Sequence, residues 1–404
     1  MHLIVLSFLL TLIFPLLSHA DLEPGFTEYK AEITFEAWLF PESSLYNGQE
    51  HNNYSVAIEP EIYSEWAEGS NLVFRPFIRL DSEDSNRSHI DIREGIYSWY
   101  GEDWESSIGI GQVFWGVTES KNLVDVINQF DAVDDPTFRT KLGQPLISAT
   151  LIRDTGYYEF FILPYFRERT SPGRKGRLRQ DPEFSKGTTK FEGGSQWTPE
   201  LAIRWSNSIG NYDVSTHSFL GYARVPSIDV QIVGGQLKYE PNYQRVRQIG
   251  GTLQKASGAT LYKLEWLAKD GQKDINFRRG GYFATVLGFE HTLYSSIGDN
   301  SDIGFLMEYN FDSRHARSTD TMQDDIFLAA RLTLNDSKNT EMLFASILDL
   351  DGDGQIYQLD FGRRINDSLT FGVQGAIYQN GRLGSNLYIL RQDSWLEINF
   401  KQYF

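Results

Sequence analysis

The chain has 404 residues, no cysteine, and a net charge of −17 from 37 Lys and Arg against 54 Asp and Glu. Lack of cysteine excludes a disulfide framework and thiol chemistry, and the acidic balance argues against nucleic acid, which is met by a basic face. The 27 Phe, 21 Tyr and 9 Trp, with no long apolar run after residue 20, leave two classes for an exported chain: a soluble all-β protein or an outer-membrane barrel, whose alternating faces hide its hydrophobicity from window averages.

The first element, "MHLIVLSFLLTLIFPLLSHA", is a short apolar run closed by Ser18-His19-Ala20, a small-x-small site suited to signal peptidase. Its n-region carries no Lys or Arg, but Pro15 and the short apolar stretch fit a cleaved signal better than a membrane anchor. Residues 1–20 are therefore read as a signal peptide, and 21–404 as a single barrel domain exported after cleavage near Ala20.

From there the chain alternates. Strands are predicted at 27–40, 53–66, 71–80, 90–100, 104–115, 145–153, 157–167, 199–206, 212–224, 244–257, 260–269, 281–293, 302–312, 325–335, 340–349, 355–364, 368–378 and 392–404. In "SDIGFLMEYNFD", for instance, Ile303, Phe305, Met307, Tyr309 and Phe311 share one face and Gly304, Glu308, Asn310 and Asp312 the other. The connections between these strands are alternately short ("GED", "TG", "SG", "NDS") and mostly long, such as 116–144, 168–198 and 225–243. A sandwich has no reason to sort loop length by parity, whereas a bacterial outer-membrane barrel puts short turns in the periplasm and long loops outside. The fold class is thus all-β, an antiparallel transmembrane β-barrel of about 18 strands, with 16 as the alternative. Trp99, Tyr100, Trp104, Trp115, Trp205 and Trp395, near strand ends, are expected in its interfacial girdles.

The early stretch "GQVFWGVTESKNLVDVINQFDAVDDPTFRTKLGQP" (111–145) is too apolar at Leu123, Val124, Val126 and Ile127 for a freely solvated loop. It should pack on the inner wall as a constriction, or brace the rim as a short helix. Trp115-Gly116, Glu119, Asn122, "VDVIN" and Asp131 resemble a motif of porin-like outer-membrane barrels of proteobacteria, distantly similar to alginate-export barrels, with the likeness clearest over about 90–170. The resemblance implies a loop folded into the lumen. Trp115, Gly116, Glu119, Asn122, Asp125, Asn128 and Asp131 are then its constriction residues, with Asp134 and Asp135 beside them.

Strand parity turns Arg75, Arg79, Arg93, Arg167, Arg204, Lys263, Glu308, Arg331 and Arg364 toward the pore, with Lys401 and acids such as Asp91, Glu159, Glu265, Glu290, Asp360 and Glu397. Mixed charges on a watery wall pair across strands, and several Arg can also guide an anion. Phe161, Tyr165 and Phe219 share the inward parity. The loop "SPGRKGRLR" (171–179) offers a basic patch to anionic solutes or lipopolysaccharide phosphates. His51, His89 and His315 fall in or beside outer loops, yet no nucleophile elbow or H-E-x-x-H accompanies them, so no enzyme is expected.

Late in the chain, "DLDGDGQIYQLD" (349–360) matches a calcium loop at Asp349, Asp351 and Asp353. Tyr357 and Asp360 at the ninth and twelfth places depart from the pattern, and the flanks are strands. The stretch reads better as a hairpin tip, with a surface calcium site at Asp349, Asp351 and Asp353 as the residual reading; no other cofactor is expected. The last strand ends on Phe404, which resembles the C-terminal signature read by the barrel-assembly machinery.

The expected function is an outer-membrane channel of a Gram-negative bacterium passing a polar or anionic solute, with loop 116–144 as constriction. The alternatives are a barrel for export or lipid trafficking with periplasmic partners, and a rim enzyme or adhesin. Expected partners are outer-membrane lipid, lipopolysaccharide and the assembly machinery, not nucleic acid; homo-oligomers are left open.

Overall fold

The computed structural model describes residues 25–66, 69–184, 187–297, 300–352, 354–381 and 386–404; the signal-peptide segment lies outside them. The strands β1 (Phe26–Leu39), β2 (Asn52–Trp66), β3 (Ser70–Asp81), β4 (His89–Tyr100), β5 (Trp104–Gly111), β6 (Gln144–Arg153) and β7 (Gly156–Leu163) run up and down in chain order. Then come β8 (Lys190–Phe191), β9 (Glu200–Ile209), β10 (Tyr212–Tyr222), β11 (Ser227–Val233), β12 (Gln236–Tyr243), β13 (Arg245–Ser257) and β14 (Thr260–Asp270). The set ends with β15 (Tyr282–Ile297), β16 (Ser301–Asp312), β17 (Asp324–Thr333), β18 (Glu341–Asp349), β19 (Gln355–Asn366), β20 (Leu369–Gln379) and β21 (Trp395–Tyr403). Eighteen of them form one antiparallel sheet, and pairing of β1 with β21 (Ala37 opposite Ile398) closes it into a barrel. Closure leaves no edge strand unpaired, the condition for a sheet to sit in hydrocarbon.

The alternation that predicts the strands also sorts their faces. On β16, Phe305, Met307 and Tyr309 are exposed on the outside, while Leu306, Glu308, Asn310 and Asp312 are buried inside. The pattern repeats around the wall, with Ile90, Ile147, Leu201, Ile249, Leu287 and Phe344 all outward and exposed. An apolar belt around a polar interior is what lipid outside and water inside select. Register slips opposite Pro76, which has no N–H for the ladder: Arg75 pairs with Glu94 and Pro76 with Ile92, so the extra residue, Arg93, bulges from β4.

The ends of the barrel differ. One end carries tight connections such as 154–155, 210–211, 258–259 and 367–368; the other carries 40–51, 112–143, 164–199, 223–244 and 380–394. The remaining strands, β8, β11 and β12, make a small three-stranded sheet at the long-loop end. Sequence reading leaves 225–243 as a plain loop. Its signal is visible in hindsight: Ile228, Val230 and Ile232 alternate, and Gly234 and Gly235 supply the two positive φ angles (60° and 80°) of a two-residue hairpin turn.

Candidate functional site

Residues 112–143 leave β5, enter the barrel and return to β6 without forming a helix. Burial explains the route. Val124, Val126 and Ile127 pack with Trp115 against Leu146, Phe161, Leu163, Ala202 and Phe219 of the inner wall. Leu123 packs on Leu267, Ala284 and Val286 of β14 and β15. Fully burying each aliphatic side chain stabilises the infolded loop by roughly 1.5–3 kcal/mol. Phe161 and Phe219, inward by parity, thus serve as the loop's seat.

Two wall carboxylates capture the loop's backbone. Val117 and Thr118 N–H donate to Glu265 Oε1 at 2.7 and 3.1 Å, and Leu123 N–H donates to Oε2 at 2.6 Å. Glu119 and Ser120 N–H donate to the two oxygens of Glu308 at 2.9 and 2.8 Å. Asn122 sits in the same turn; with its nitrogen toward Thr118 O and Glu265 Oε1 it donates to both at 3.1 Å. A side chain at Gly116 would collide with Asn122, since a Cβ there would lie 2.6 Å from its Cγ. Glycine is required at 116 for that approach.

Other expected constriction residues brace the loop from within. Asn128 joins its two legs, accepting from Val113 N–H at 2.8 Å and donating to Gly111 O and Leu142 O at 2.8 and 2.9 Å. Asp125 pairs with Lys141, both buried; burial pushes the Asp125 carboxyl up and the Lys141 amine down, against their mutual attraction. Asp131 is fully buried against Arg93 (2.7 Å), His89 (3.5 Å) and the Thr170 hydroxyl (2.7 Å). Asp134 bridges Arg79 and Arg93 at 2.8 and 3.1 Å. Asp135 caps the following turn, accepting from Thr137 and Arg139 N–H at 2.8 and 3.0 Å.

Of the constriction set, Glu119, Asn122 and Asp125 line the space above the loop, and Glu119 also lines the space below it, with a companion outside the expected set. Above the loop lies a vestibule of roughly 1510 Å³ that opens among the long loops; below it lies a cavity of roughly 550 Å³. Among the described residues, Glu119 and Arg139 are the two that line both. Each reaches the opposite wall: Glu119 to Arg331 of β17 at 2.9 Å, and Arg139 to Asp360 of β19 at 2.7 Å. Two ion pairs of reversed polarity therefore stand where the two cavities meet, and Asp360 belongs to one of them.

The wall residues divide into sealed and open. Arg79 and Arg93 are buried beneath the loop, Arg79 holding Glu36 as well as Asp134. Arg75 pairs with Glu59 and Glu94, Arg167 with Asp91, Arg204 with Glu159, and Lys263 with Glu290. Arg331, Arg364 and Lys401 line the lower cavity. Two of the expected girdle aromatics turn inward instead. Trp115 is buried against Phe161 and His217 because it lies on the infolded loop, past the end of β5, and Trp395 is buried and stacked on Trp38 because its parity on β21 faces the lumen. Trp99, Tyr100 and Trp104 are exposed at the short-turn end, where a girdle belongs.

The loop 171–179 is mostly structural. Arg177 is buried on Asp393 and over the Phe40 ring, and Arg179 is buried beside Tyr46, so Arg174 and Lys175 carry what exposed basic character remains. His89 joins the Asp131 cluster and His315 packs edge-on to Phe311. At the late hairpin, Asp349 Oδ1 accepts from Asp351 and Gly352 N–H, both at 2.9 Å, which closes the tip. Asp353, the third of the expected calcium trio, lies outside the described residues. The pairing of Ile347 with Ile356 centres the tip on Asp351-Gly352.

No protein-family model matches the sequence, and no curated protein does. Solved structures match over nearly the whole chain. OccK11 (OpdR) of Pseudomonas aeruginosa aligns with a TM-score of 0.56 at 9% identity, covering 95% of this chain and 98% of its own. OccAB3 of Acinetobacter baumannii gives 0.52 at 10%, covering 93% and 99%. Wzi of Escherichia coli, described as a carbohydrate-binding barrel involved in group 1 capsule assembly, gives 0.51 at 8%, covering 91% and 83%. The fold is that of porin-like outer-membrane barrels. At such identities the likeness is one of architecture.

Proposed function

We propose that the protein is an outer-membrane channel that admits small polar or anionic solutes through the eyelet at Glu119 and Arg139. The observation that carries this reading is the meeting of two lumenal cavities at those two side chains. A plug would be walled off by packed apolar groups, whereas this junction is built from ion pairs that water can reach: Arg139 is 56% exposed and Asp360 25%. The lower cavity favours anions, since Arg139, Arg331, Arg363, Arg364 and Lys401 line it against Glu119, Glu341 and Asp360. The apolar exterior belt, the closed sheet and the asymmetry of loop lengths support placement across an outer membrane, long loops outward. Planar-bilayer recording of the purified barrel is the test: ohmic conductance with anion preference is expected, and a persistently silent barrel overturns the reading.

A further inference from the structure

The vestibule above the eyelet carries a chemistry that the eyelet does not explain. Most cations on its wall are satisfied: Lys121 by Asp320, Lys141 by Asp125, Arg224 by Glu200 and Arg314 by Asp312. Arg169 and Lys269 are not. Among the described residues neither has a carboxylate within ion-pair distance, and Asp320, whose charge both feel, is already bound to Lys121 at 2.8 Å. The side chain of Arg169 meets protein acceptors through one weak bond, Nη2 to Arg224 O at 3.4 Å, and its Nε is buried without any partner. Its guanidinium rests instead on aromatic faces, 5.2 Å from the Phe138 centroid and 5.9 Å from Phe130; Lys269 lies 5.8 Å from the Tyr282 centroid. A desolvated cation without an anion is costly, and cation–π contacts offset only part of that cost.

The apolar side of the vestibule is equally unusual for a wall bathed in water. Phe114 is 61% exposed, Phe138 44% and Phe277 55%, all lining the cavity. The hairpin β11–β12 extends this surface outward. Ile228 and Pro241 pair across it and line the vestibule; on the same face Val230 with Tyr239 and Ile232 with Leu237 continue to the tip. Val230, Ile232 and Leu237 are exposed, so an apolar strip runs from outside to the cations.

We propose that the vestibule binds an amphipathic anion, its carboxylate between Arg169 and Lys269 and its apolar body on Phe114, Phe130 and Phe138. A bare inorganic anion would leave the aromatic faces in water, and a neutral apolar solute would leave the two cations unmatched. The proposal deepens the channel reading by naming the solute class, and the two fail separately, because binding and conductance are measured apart.

The test is calorimetric titration of the barrel in lipid nanodiscs with 3-phenylpropanoate, its neutral amide, and acetate. The acid should bind at least about tenfold more tightly than either companion, which removes the charge or the apolar body in turn. Arg169→Gln and Lys269→Gln should each weaken the acid by about fivefold or more, and Arg169→Lys should recover most of the loss. Heat-modified gel migration verifies that each variant folds; a variant that fails to fold is replaced by Arg169→Lys paired with Lys269→Arg, which must retain binding. Equal affinity for the amide or for acetate, wild-type affinity in both Gln variants, or no binding of the acid overturns the proposal. If the acid does not bind a barrel that conducts, the channel reading survives alone. If it binds a silent barrel, the site survives and the channel reading falls.

Discussion

Arg139 Nη1 reaches 2.7 Å across the lumen to Asp360 Oδ2, tying the infolded loop to a strand 221 residues further along the chain. The pair is substantially solvated, so its direct contribution to stability is small, about 0.2–1 kcal/mol. Its position gives it a larger effect on passage than on folding. Arg139→Ala and Asp360→Ala should each raise single-channel conductance, roughly twofold, while leaving the unfolding midpoint in urea within error of wild type. Arg139→Ala should also reduce anion preference, and Asp360→Ala should increase it. Reversal potentials under a salt gradient read the sign; identical shifts in both variants would remove Arg139 and Asp360 from the eyelet.

The loop stays in place for another reason. Glu265 accepts backbone N–H groups from Val117, Thr118 and Leu123, and Glu308 takes those of Glu119 and Ser120. Removing a buried acceptor leaves each donor unsatisfied at roughly 1–3 kcal/mol. Glu265→Gln is therefore damaging although nearly isosteric, because a carboxamide nitrogen cannot accept. The variant should keep its barrel but lose loop order, seen as trypsin cleavage within 112–143 and noisier, larger currents. Trypsin resistance equal to wild type would show that apolar packing alone holds the loop.

Much of this architecture is written in period two. Phe305, Met307 and Tyr309 can face lipid only if Glu308 and Asn310 face the lumen, so face, strand and count follow together. The infolding is legible for the same reason: Leu123, Val124, Val126 and Ile127 need an apolar seat, and the inner wall supplies one. The eyelet is less legible. Arg139 sits in a polar turn with nothing local to distinguish it from a solvated arginine, and its partner is fixed only by closure of the barrel. Asn128 and Asp131 show a need that loop composition alone does not reveal: internal loop turns require buried polar partners. Residue type alone does not place Trp115 and Trp395 in a girdle, since the infolding of the loop takes the first into the lumen and strand parity takes the second.

Lys141 and Asp125 form a buried ion pair inside the loop, each pulled toward its neutral form by burial. Breaking such a pair strands the remaining charge, at about 3–5 kcal/mol, whereas replacing both by apolar residues of similar size is near neutral. Lys141→Met should therefore destabilise strongly, and Lys141→Met combined with Asp125→Leu should recover most of the loss. Because Asp125 also accepts from Trp115 N–H at 3.4 Å, a long bond, recovery should fall slightly short of complete. Urea unfolding followed by Trp fluorescence measures the cycle, and strictly additive single effects would argue against coupling.

Asp131 sets how the loop responds to acid. Burial alone would raise its carboxyl, but the His89 imidazole, the Arg93 guanidinium and the Thr170 hydroxyl outweigh burial and hold it well below the usual carboxylate range. A carboxyl depressed in the folded state contributes stability that is fully present above its unfolded value, about pH 4, and lost only as pH falls through the lower folded value. The anchor should thus survive acidification from pH 7 to pH 4, with trypsin resistance of residues 112–143 unchanged across that window. Asp131→Asn removes the charge at every pH and leaves Arg93 short of one partner, so its loop should be cleaved faster at pH 7 and show no further loss at lower pH from this site. If the wild-type loop instead loosens as pH falls from 5 to 4, Asp131 is titrating near its ordinary value and the anchor lies elsewhere.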